Sequence, residues 1–322
     1  MNLENQPKIT IAIPTFNRAS LLGLTIASVL KQKYGNIEII VSDNCSSDAT
    51  GEVVASYGDN RIVYFRQTEN LGMVGNWNFC LQHATGEFFL LLSDDDLLED
   101  NALTSLLSAF SDESVVLSYS SVSYIDKDGG QIPGISSRAP LVEAGERFIA
   151  NALLGKRVVF PAAAVFRTKA AKQLGGYPGI GTATDLALHL MLAMQGRVAH
   201  NPQPLVRYRM HNQSLSYTEQ AIQSQASLVE WVRSESCPLK KFETQIARRS
   251  MKFIFSWGRY SALEGKQENA AMALDMLQRI SPSPKWTVWF YLFNTTLFQR
   301  SAIVYTMVKQ WAKKLIYRRV LS

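Results

Sequence analysis

The chain has few cysteines and no long apolar runs. Its 322 residues contain three cysteines, Cys45, Cys80 and Cys237, an odd number with no zinc-ligand or disulfide-framework spacing. Residues 1–8 are polar and contain no hydrophobic signal core. The longest uncharged run near the C-terminus, residues 286–299, is shorter than the ~20 apolar residues that a membrane-spanning helix needs. Together these absences predict a cytoplasmic protein in a reducing compartment.

Glycine-rich phosphate-binding patterns are also missing. The turn after the first predicted strand, residues 14–18, contains no glycine, and the pattern G-x-x-x-x-G-K-[ST] occurs nowhere in the chain. The loop at residues 43–48 faintly resembles a calcium loop, but Asp48 and Val54 stand where that loop has glycine and glutamate. These departures argue against a dinucleotide-binding fold, a P-loop or an EF-hand. The net charge of +6 is too modest to indicate nucleic-acid binding.

The composition and the first half of the chain predict a doubly wound α/β fold. Apolar residues make up 47% and charged residues 19%, which is typical of a globular protein with one large domain or a large and a small one. Short apolar strands alternate with helical stripes, so the sheet is expected to be mostly parallel, with ligands at the carboxyl ends of its strands. The predicted strands cover residues 9–13, 37–41, 61–65 and 87–92, and the helices 21–30, 48–57 with Asp48 as N-cap, and 72–84.

Acidic residues follow two of these predicted strands. Asp94, Asp95 and Asp96 come one residue after the apolar run 88–92, and stacked carboxylates repel one another unless a cation lies among them. Mg²⁺ or Mn²⁺ would suit these oxygen ligands and commonly bridges carboxylates to a diphosphate. The alternative is a solvated acidic turn that caps the next helix. Asp43 could accept a hydrogen bond from a nucleobase N–H, or it could cap its own turn.

Four ordered segments resemble glycosyltransferase family 2. They are residues 11–18, 41–48, 70–72 and 92–96, and order and spacing agree over roughly residues 8–215. The resemblance implies a GT-A fold and an enzyme that transfers a sugar from a UDP- or dTDP-linked donor with inversion at the anomeric carbon. It further implies bacterial surface-polysaccharide assembly with a glycan or lipid-linked acceptor.

The resemblance also assigns donor and metal roles to individual residues. Ser93 stands where many relatives have the first acid of the metal-binding signature. The implied Mn²⁺ or Mg²⁺ ligands are Asp95, Asp96 and the later His211. Contacts with the nucleotide sugar are implied for Pro14, Thr15, Asn17, Arg18, Asp43, Asn44, Asn70 and Asp94.

The second half of the chain carries the predicted acceptor side. Residues 184–196 are predicted to form an apolar helix with Asp185 at its amino end. The family places its catalytic base here, usually as Glu-Asp, whereas this chain has Thr184 followed by Asp185. The alternative role of Asp185 is an N-cap that complements the helix dipole. Arg207 and Arg209 could neutralise the diphosphate, and strand alternation predicts that both point inward or both outward.

The last hundred residues are predicted to be helical. Helices are expected at 219–234, 241–263 and 267–280, followed by a tail at 285–319 that is rich in aromatic and basic residues. That composition predicts a segment lying on an anionic membrane surface, or one that packs on the catalytic domain or across a homo-oligomer. The predicted domains are a catalytic domain at 1–216, divided near residue 100 into donor and acceptor halves, and a helical region at 217–322.

The sequence therefore predicts a metal-dependent, inverting glycosyltransferase at the inner face of the membrane. Two alternatives remain open. A sugar-nucleotide pyrophosphorylase would share the fold but would need a glycine-rich, basic turn after the first strand. A non-catalytic nucleotide-sugar-binding protein is compatible with the missing acids at Ser93 and Thr184.

Overall fold

A computed structural model describes residues 6–133, 139–210 and 218–283. Its described part contains one ten-stranded mixed sheet, in the order β3-β2-β1-β4-β9-β6-β10-β5, with β7 beside β6 and β8 beside β10. The strands are β1 (Ile9–Thr15), β2 (Ile37–Asp43), β3 (Ile62–Arg66), β4 (Phe88–Leu91), β5 (Leu97–Leu98), β6 (Val115–Ile125), β7 (Gln131–Ile132), β8 (Val142–Ala144), β9 (Ala164–Arg167) and β10 (Arg197–Arg209).

The first half of the sheet is parallel throughout. Strands β3, β2, β1 and β4 pair in parallel, and the apolar residues of β1, β2 and β4 are buried, whereas Val63 of the edge strand β3 is exposed. Three helices connect them: α1 (Ala19–Leu30), α2 (Thr50–Ala55) and α3 (Gly72–His83). The predicted doubly wound, mostly parallel α/β fold with these strands and helices is therefore confirmed.

The first strand was expected to end before Pro14, but it continues beyond it. Pro14 pairs with Ser42, and β1 continues to Thr15. Leu92 N–H donates to the carbonyl of Ala12 on the β4 side, and Pro14, two residues further on, faces the same side. Because β4 ends at Leu91, no ladder bond needs the N–H that proline lacks.

Asp48 caps two helices rather than starting one. The second helix begins at Thr50, with Ala49 in the N-cap position. The Asp48 carboxylate accepts hydrogen bonds from Thr50 N–H at 3.2 Å and from Ala19 N–H, the first residue of α1, at 3.0 Å. One acid therefore joins the amino ends of α1 and α2, where the N–H groups have no partners within the helices.

The second half of the sheet is mixed because β9 enters it in the opposite direction. β9 pairs antiparallel with both β4 and β6, whereas β6 and β10 are parallel. The sequence did not indicate β6 or the full length of β10. The helices of this half are α4 (Ala102–Leu107), α5 (Gly145–Leu153), α6 (Thr168–Gln173) and α7 (Thr184–Ala193).

The described chain forms two compact units. One contains residues 6–133, 139–150, 159–179 and 184–210, and the other contains residues 151–158, 180–183 and 218–283. The second unit holds α8 (Glu219–Arg233), α9 (Glu243–Leu263) and α10 (Gln267–Ile280), which confirms the predicted C-terminal helices. α9 and α10 pack so closely that a Cβ on Gly258 would lie 2.5 Å from Ala273 Cβ.

The predicted domain boundary at residue 216 stays a prediction, and the predicted tail at 285–319 lies outside the described residues. Within the part of the chain that is described, no helix is long and apolar enough to cross a membrane.

Candidate functional site

The carboxyl ends of three parallel strands bring the predicted donor-binding segments to one edge of the sheet. Thr15, the last residue of β1, pairs with Asp43, the last residue of β2, and Asp43 pairs in turn with Arg66 of β3. The chain leaves β4 next to β1 and continues into the aspartate triplet, residues 94–96. The loops after β1, β2 and β4 therefore start beside one another.

The loops after β1 and β2 are joined through Asn17. Its N–H donates to Ser46 Oγ at 2.9 Å, and its side-chain oxygen accepts from Ser47 N–H at 2.8 Å. Asn17 has a φ of 53° and Cys45 a φ of 69°, in the left-handed region that side chains other than glycine and asparagine rarely adopt. The two loops hold each other in an unusual conformation, which is typical of ligand-binding turns.

Asp43 is buried, and both of its oxygens accept hydrogen bonds. Oδ1 accepts from Ser46 N–H at 2.8 Å, and Oδ2 accepts from the Tyr64 hydroxyl at 2.6 Å. Asp43 therefore caps its own turn, which is one of the two roles predicted for it from the sequence. A carboxylate oxygen has two lone pairs, so each oxygen can accept a second donor and the nucleobase role stays a prediction. Burial, together with the hydrogen bond and charge of Asp43, raises the pKa of Tyr64, so its hydroxyl keeps its proton and donates.

Asn44 and Asn70 hold the start of α3. Asn44 Nδ2 donates to Asn70 Oδ1 at 2.8 Å, and Asn44 Oδ1 accepts from Leu71 N–H at 2.8 Å. Asn70 Oδ1 also accepts from Gly72 N–H at 2.8 Å. Gly72 has a φ of 71°, which explains the glycine at this turn. These contacts give both asparagines a local structural role, and their contacts with a donor stay predictions.

Arg18 lies between two of the three aspartates. Its Nη1 is 2.5 Å from Asp95 Oδ2 and 3.3 Å from Asp94 Oδ1. Burial lowers the pKa of Arg18, but the charges of Asp94 and Asp95 outweigh it and the net pKa is raised. Burial also raises the pKa of Asp94 to about 6, because the nearby Arg18 charge compensates for only part of the lost hydration.

The third aspartate is held by β10. Asp96 is fully buried, and its Oδ1 accepts from Arg209 N–H at 2.9 Å. Burial and then the charge of Asp95 raise the pKa of Asp96 well above its usual value. The Arg209 guanidinium is itself buried and donates to the carbonyls of Asp95 at 2.9 Å and of Asp126 and Lys127 at 3.1 Å each. Arg209 thus fastens the triplet to the end of β6.

The two arginines of β10 lie in different surroundings, contrary to the expectation that both would be inside or both outside. Arg207 pairs with Glu99, with Nε 2.9 Å from Oε1, and 43% of its side chain is exposed. Arg209 is buried. The alternation of side chains along a strand determines which face of the sheet each side chain lies on, but not how exposed it is. The adjacent Glu99, which the sequence did not suggest, gives Arg207 a partner near the surface. Diphosphate binding by either arginine stays a prediction.

The triplet has the donor chemistry for a hard divalent cation. Asp94 and Asp95 converge on one cationic nitrogen of Arg18, and Asp96 Oδ2 is buried with no hydrogen-bond partner among the described residues. These oxygens fit Mg²⁺ or Mn²⁺ by type. Nevertheless, no group of three or more His, Cys, Asp or Glu side chains in the described ranges is arranged to hold a metal ion. His211, the predicted histidine ligand, lies outside those ranges.

The predicted catalytic base lies at the beginning of α7. Asp185 Oδ1 accepts from Leu186 N–H at 2.7 Å, which agrees with the capping alternative without excluding catalysis. Burial and then the negative charge of Asp185 raise the pKa of Tyr177, whose ring lies 5.3 Å from that of Trp77. Thr184, where the resemblance led us to expect glutamate, is fully buried and donates to the carbonyl of Pro178 at 2.7 Å.

The fold and the strand-end loops define the class of the protein. Residues 10–175, which make up more than half of the chain, match Glycosyl transferase family 2. The chain therefore belongs to this family. It is 45% identical over 104 residues to a Campylobacter jejuni protein, GalNAc(5)-diNAcBac-PP-undecaprenol beta-1,3-glucosyltransferase. That match covers 31% of this chain and 34% of the relative, so the aligned part spans about a third of the relative's length.

A second relative is aligned over more of its length. The chain is 26% identical over 214 residues to the putative teichuronic acid biosynthesis glycosyltransferase TuaG of Bacillus subtilis, covering 66% of this chain and 82% of that protein.

Two solved structures share the fold. One is Staphylococcus aureus TarS (residues 1–349) in complex with UDP-GlcNAc, with a TM-score of 0.63 and 18% identity over 95% of this chain and 92% of that one. The other is the mannosyltransferase PcManGT from Pyrobaculum calidifontis in complex with GDP-Man and Mn²⁺, with a TM-score of 0.59 and 19% identity over 99% of this chain and 87% of that one. At these identities the likeness concerns the fold alone.

Proposed function

We propose that this protein transfers a sugar from a nucleoside-diphosphate sugar to an acceptor hydroxyl, with inversion at the anomeric carbon. The observation that supports it most is the meeting of the β1 and β2 loops and the aspartate triplet at one edge of the parallel sheet. A ligand at that edge would meet a base-binding carboxylate at Asp43 and acidic and basic groups at Arg18, Asp94 and Asp95. Pro14, Thr15 and Asn17 would line the nucleoside part of this donor site.

In this proposal Asp185 removes the proton from the acceptor hydroxyl. The oxygen then attacks the anomeric carbon, and the nucleoside diphosphate leaves from the opposite face of the sugar. The amino end of α7 and the hydrogen bond from Leu186 N–H favour the ionised carboxylate. A general base works best with a pKa near the operating pH, so loss of water around Asp185 on acceptor binding would have to raise its basicity. Placement of both substrates in line supplies much of the remaining acceleration.

Asp95 and Asp96 would hold the divalent metal, with Asp94 next to them and His211 as a further ligand. When bound, the cation neutralises charge that develops on the leaving diphosphate, so no protein acid is required there. Arg18 already neutralises Asp94 and Asp95, and it would have to share or release them when a metal binds. The Mn²⁺ in the PcManGT structure supports the proposed metal.

The acceptor is proposed to be a lipid-linked saccharide or glycan of the bacterial cell surface. This rests on the names of relatives, which include an undecaprenol-linked acceptor and teichuronic acid biosynthesis. The proposed donors are UDP- or dTDP-sugars, and UDP-GlcNAc in the TarS structure is consistent with the former. Such an acceptor would require the protein to reach a membrane surface, and peripheral association through the tail at 285–319 is part of the proposal.

Neither alternative function is favoured by the comparisons, since the family match and the named relatives are those of glycosyltransferases. One experiment tests the proposal against both. The protein is incubated with a panel of nucleotide sugars, Mn²⁺ and an undecaprenyl-diphosphate saccharide, and nucleoside diphosphate release is followed. Acceptor-dependent release from one donor supports transfer, and NMR of the new glycosidic linkage reports inversion. Binding without release would indicate the non-catalytic alternative, whereas pyrophosphate-dependent formation of nucleoside triphosphate would indicate a pyrophosphorylase.

A further inference from the structure

Tyr64 lies diagonally across the sheet from Asp43. Tyr64 on β3 pairs with Val41 on β2, and Asp43 follows two residues later on the same face of the strand. The tyrosine is long enough to span this diagonal, and its hydroxyl reaches Asp43 Oδ2 at 2.6 Å. Gly51 leaves room for it, because a Cβ at Gly51 would lie 3.2 Å from the Tyr64 hydroxyl.

The hydrogen bond from Tyr64 restrains the side-chain torsion that orients the Asp43 carboxylate. The carboxylate of an aspartate turns about a broad, roughly two-fold torsion, so one donor leaves its plane poorly defined. Here Oδ1 is held by Ser46 N–H from the loop itself, and Oδ2 is held by Tyr64 from the neighbouring strand. Two donors from two elements fix the plane of the Asp43 carboxylate, and with it the directions of the remaining lone pairs.

We propose that Tyr64 is a positioning residue for nucleobase selection, acting through Asp43 to favour bases that present a ring N–H. This inference rests on the proposed function, since it takes Asp43 to be the group that accepts from the base. A fixed carboxylate is an acceptor only. It matches the N3–H of uracil or thymine and the N1–H of guanine, and it opposes the lone pair at N3 of cytosine or N1 of adenine. Tyr64 would therefore contribute to discrimination without touching the nucleotide.

The test measures base discrimination rather than overall stability. Dissociation constants of UDP and CDP are measured by calorimetry for the wild type and for Tyr64→Phe, with GDP and ADP used instead if the donor assay selects a purine. We expect Tyr64→Phe to weaken UDP binding about 5- to 30-fold, the loss of one hydrogen bond to a charged group, and to leave CDP binding nearly unchanged. The KM for the donor should rise by the same factor, with kcat little changed.

Tyr57 provides a matched control. Its hydroxyl donates to the Gly23 carbonyl at 2.5 Å, and burial also raises its pKa, but its bond joins a carbonyl on α1 instead of Asp43. Tyr57→Phe likewise removes one tyrosine hydrogen bond, here to a neutral carbonyl, and should leave the UDP-to-CDP ratio unchanged. If Tyr64→Phe and Tyr57→Phe alter that ratio equally, or not at all, the assignment of Tyr64 is overturned while the proposed function stands.

A double-mutant cycle gives an independent readout. In the background of Asp43→Asn, which keeps an oxygen for Ser46 N–H, Tyr64→Phe should cause little further loss of UDP affinity. Additive losses would mean that Tyr64 acts on the fold rather than through Asp43, and would overturn the proposal. A wild type that binds neither dTDP nor any of these four diphosphates would instead overturn the proposed function, and the Tyr64 assignment with it.

Discussion

Arg18 Nη1 and Asp95 Oδ2 lie 2.5 Å apart, although 77 residues separate them in the chain. The pair joins the loop after β1 to the segment after β4, and Asp94 shares the same nitrogen at 3.3 Å. A guanidinium thus lies where the carboxylates would otherwise repel one another. Any divalent cation that binds Asp95 must compete with this internal cation, so metal and Arg18 should influence each other's contacts.

Asp95 is expected to be essential for metal-dependent nucleotide binding and for sugar transfer. Asp95→Ala should abolish sugar transfer and remove Mn²⁺-dependent nucleotide binding, while circular dichroism remains unchanged. Arg18→Met should increase the affinity of the nucleotide-free protein for Mn²⁺, because the guanidinium that competes with the metal is gone. Electron paramagnetic resonance of free Mn²⁺ measures the Mn²⁺ affinity of both variants. Asp128→Ala, at a side chain that is 75% exposed, is the control. Full activity in EDTA would remove the metal from the mechanism.

Asp185 is expected to be needed for turnover but not for folding. Asp185→Asn keeps an oxygen for Leu186 N–H, so the free energy of unfolding should change by less than about 0.5 kcal/mol. The loss of a general base should lower kcat by about 10² to 10⁴. Donor affinity should persist, because the base serves the acceptor. Steady-state kinetics and donor titration separate these effects, and near-normal turnover would restrict Asp185 to capping the helix.

Placing at position 184 the glutamate that the resemblance implied should destabilise the protein. Thr184 is fully buried and donates to Pro178 O. Thr184→Glu would place a larger, ionisable group in that space, so we expect a loss of about 2 to 4 kcal/mol in the free energy of unfolding and no gain in kcat. Urea denaturation measures the first quantity. Thr184→Ser keeps the hydroxyl and should cost less. An active, stable Thr184→Glu variant would show instead that this position can join the catalytic group.

Acid should destabilise the fold partly through Glu38. Burial would raise the pKa of Glu38, but hydrogen bonds from Thr10, Thr85 and Lys8 outweigh it and lower the pKa to about 2. A lowered folded-state pKa contributes stability above the unfolded value of 4.5, and this contribution is lost as the pH falls from 4.5 towards 2.

Glu38→Gln should therefore lower the melting temperature at pH 7 and flatten its decline between pH 4.5 and 2. Thermal scans across that interval measure the slope. A variant whose curve runs parallel to that of the wild type would assign the acid sensitivity to other groups.

The basic tail is expected to bind anionic membranes. Vesicles of phosphatidylglycerol and phosphatidylcholine should float the protein at low salt and release part of it at high salt, because salt screens the charges. Neutralising three tail lysines should weaken binding by up to about 3 kcal/mol, since each lysine near such a surface contributes about 1 kcal/mol. The variant is Lys309, Lys313 and Lys314 to Gln, and the control is Lys31, Lys33 and Lys127 to Gln. Equal flotation of both would favour the tail packing on protein.

The positions of Asp43 and the aspartate triplet at the carboxyl ends of their strands were predictable, because each follows a short apolar run. What the sequence did not indicate depends on cross-strand pairing. Tyr64 was missed as a partner of Asp43 because only the register of β2 and β3 brings the two together. Likewise, the different surroundings of Arg207 and Arg209 depend on Glu99 and on the β6 end, which strand alternation cannot reveal.

The bond between Asp96 and Arg209 spans 113 residues, and Arg209 lies beyond the segment that matches the family. A chain emerging from the ribosome would therefore carry the complete aspartate triplet long before the backbone amide and guanidinium that fasten it are made. Long-range pairings of this kind form late in folding, because the intervening chain must first be ordered. Nascent chains ending before β10 lack this partner for Asp96, so the proposed donor site is expected to mature only when synthesis of the whole sheet is complete.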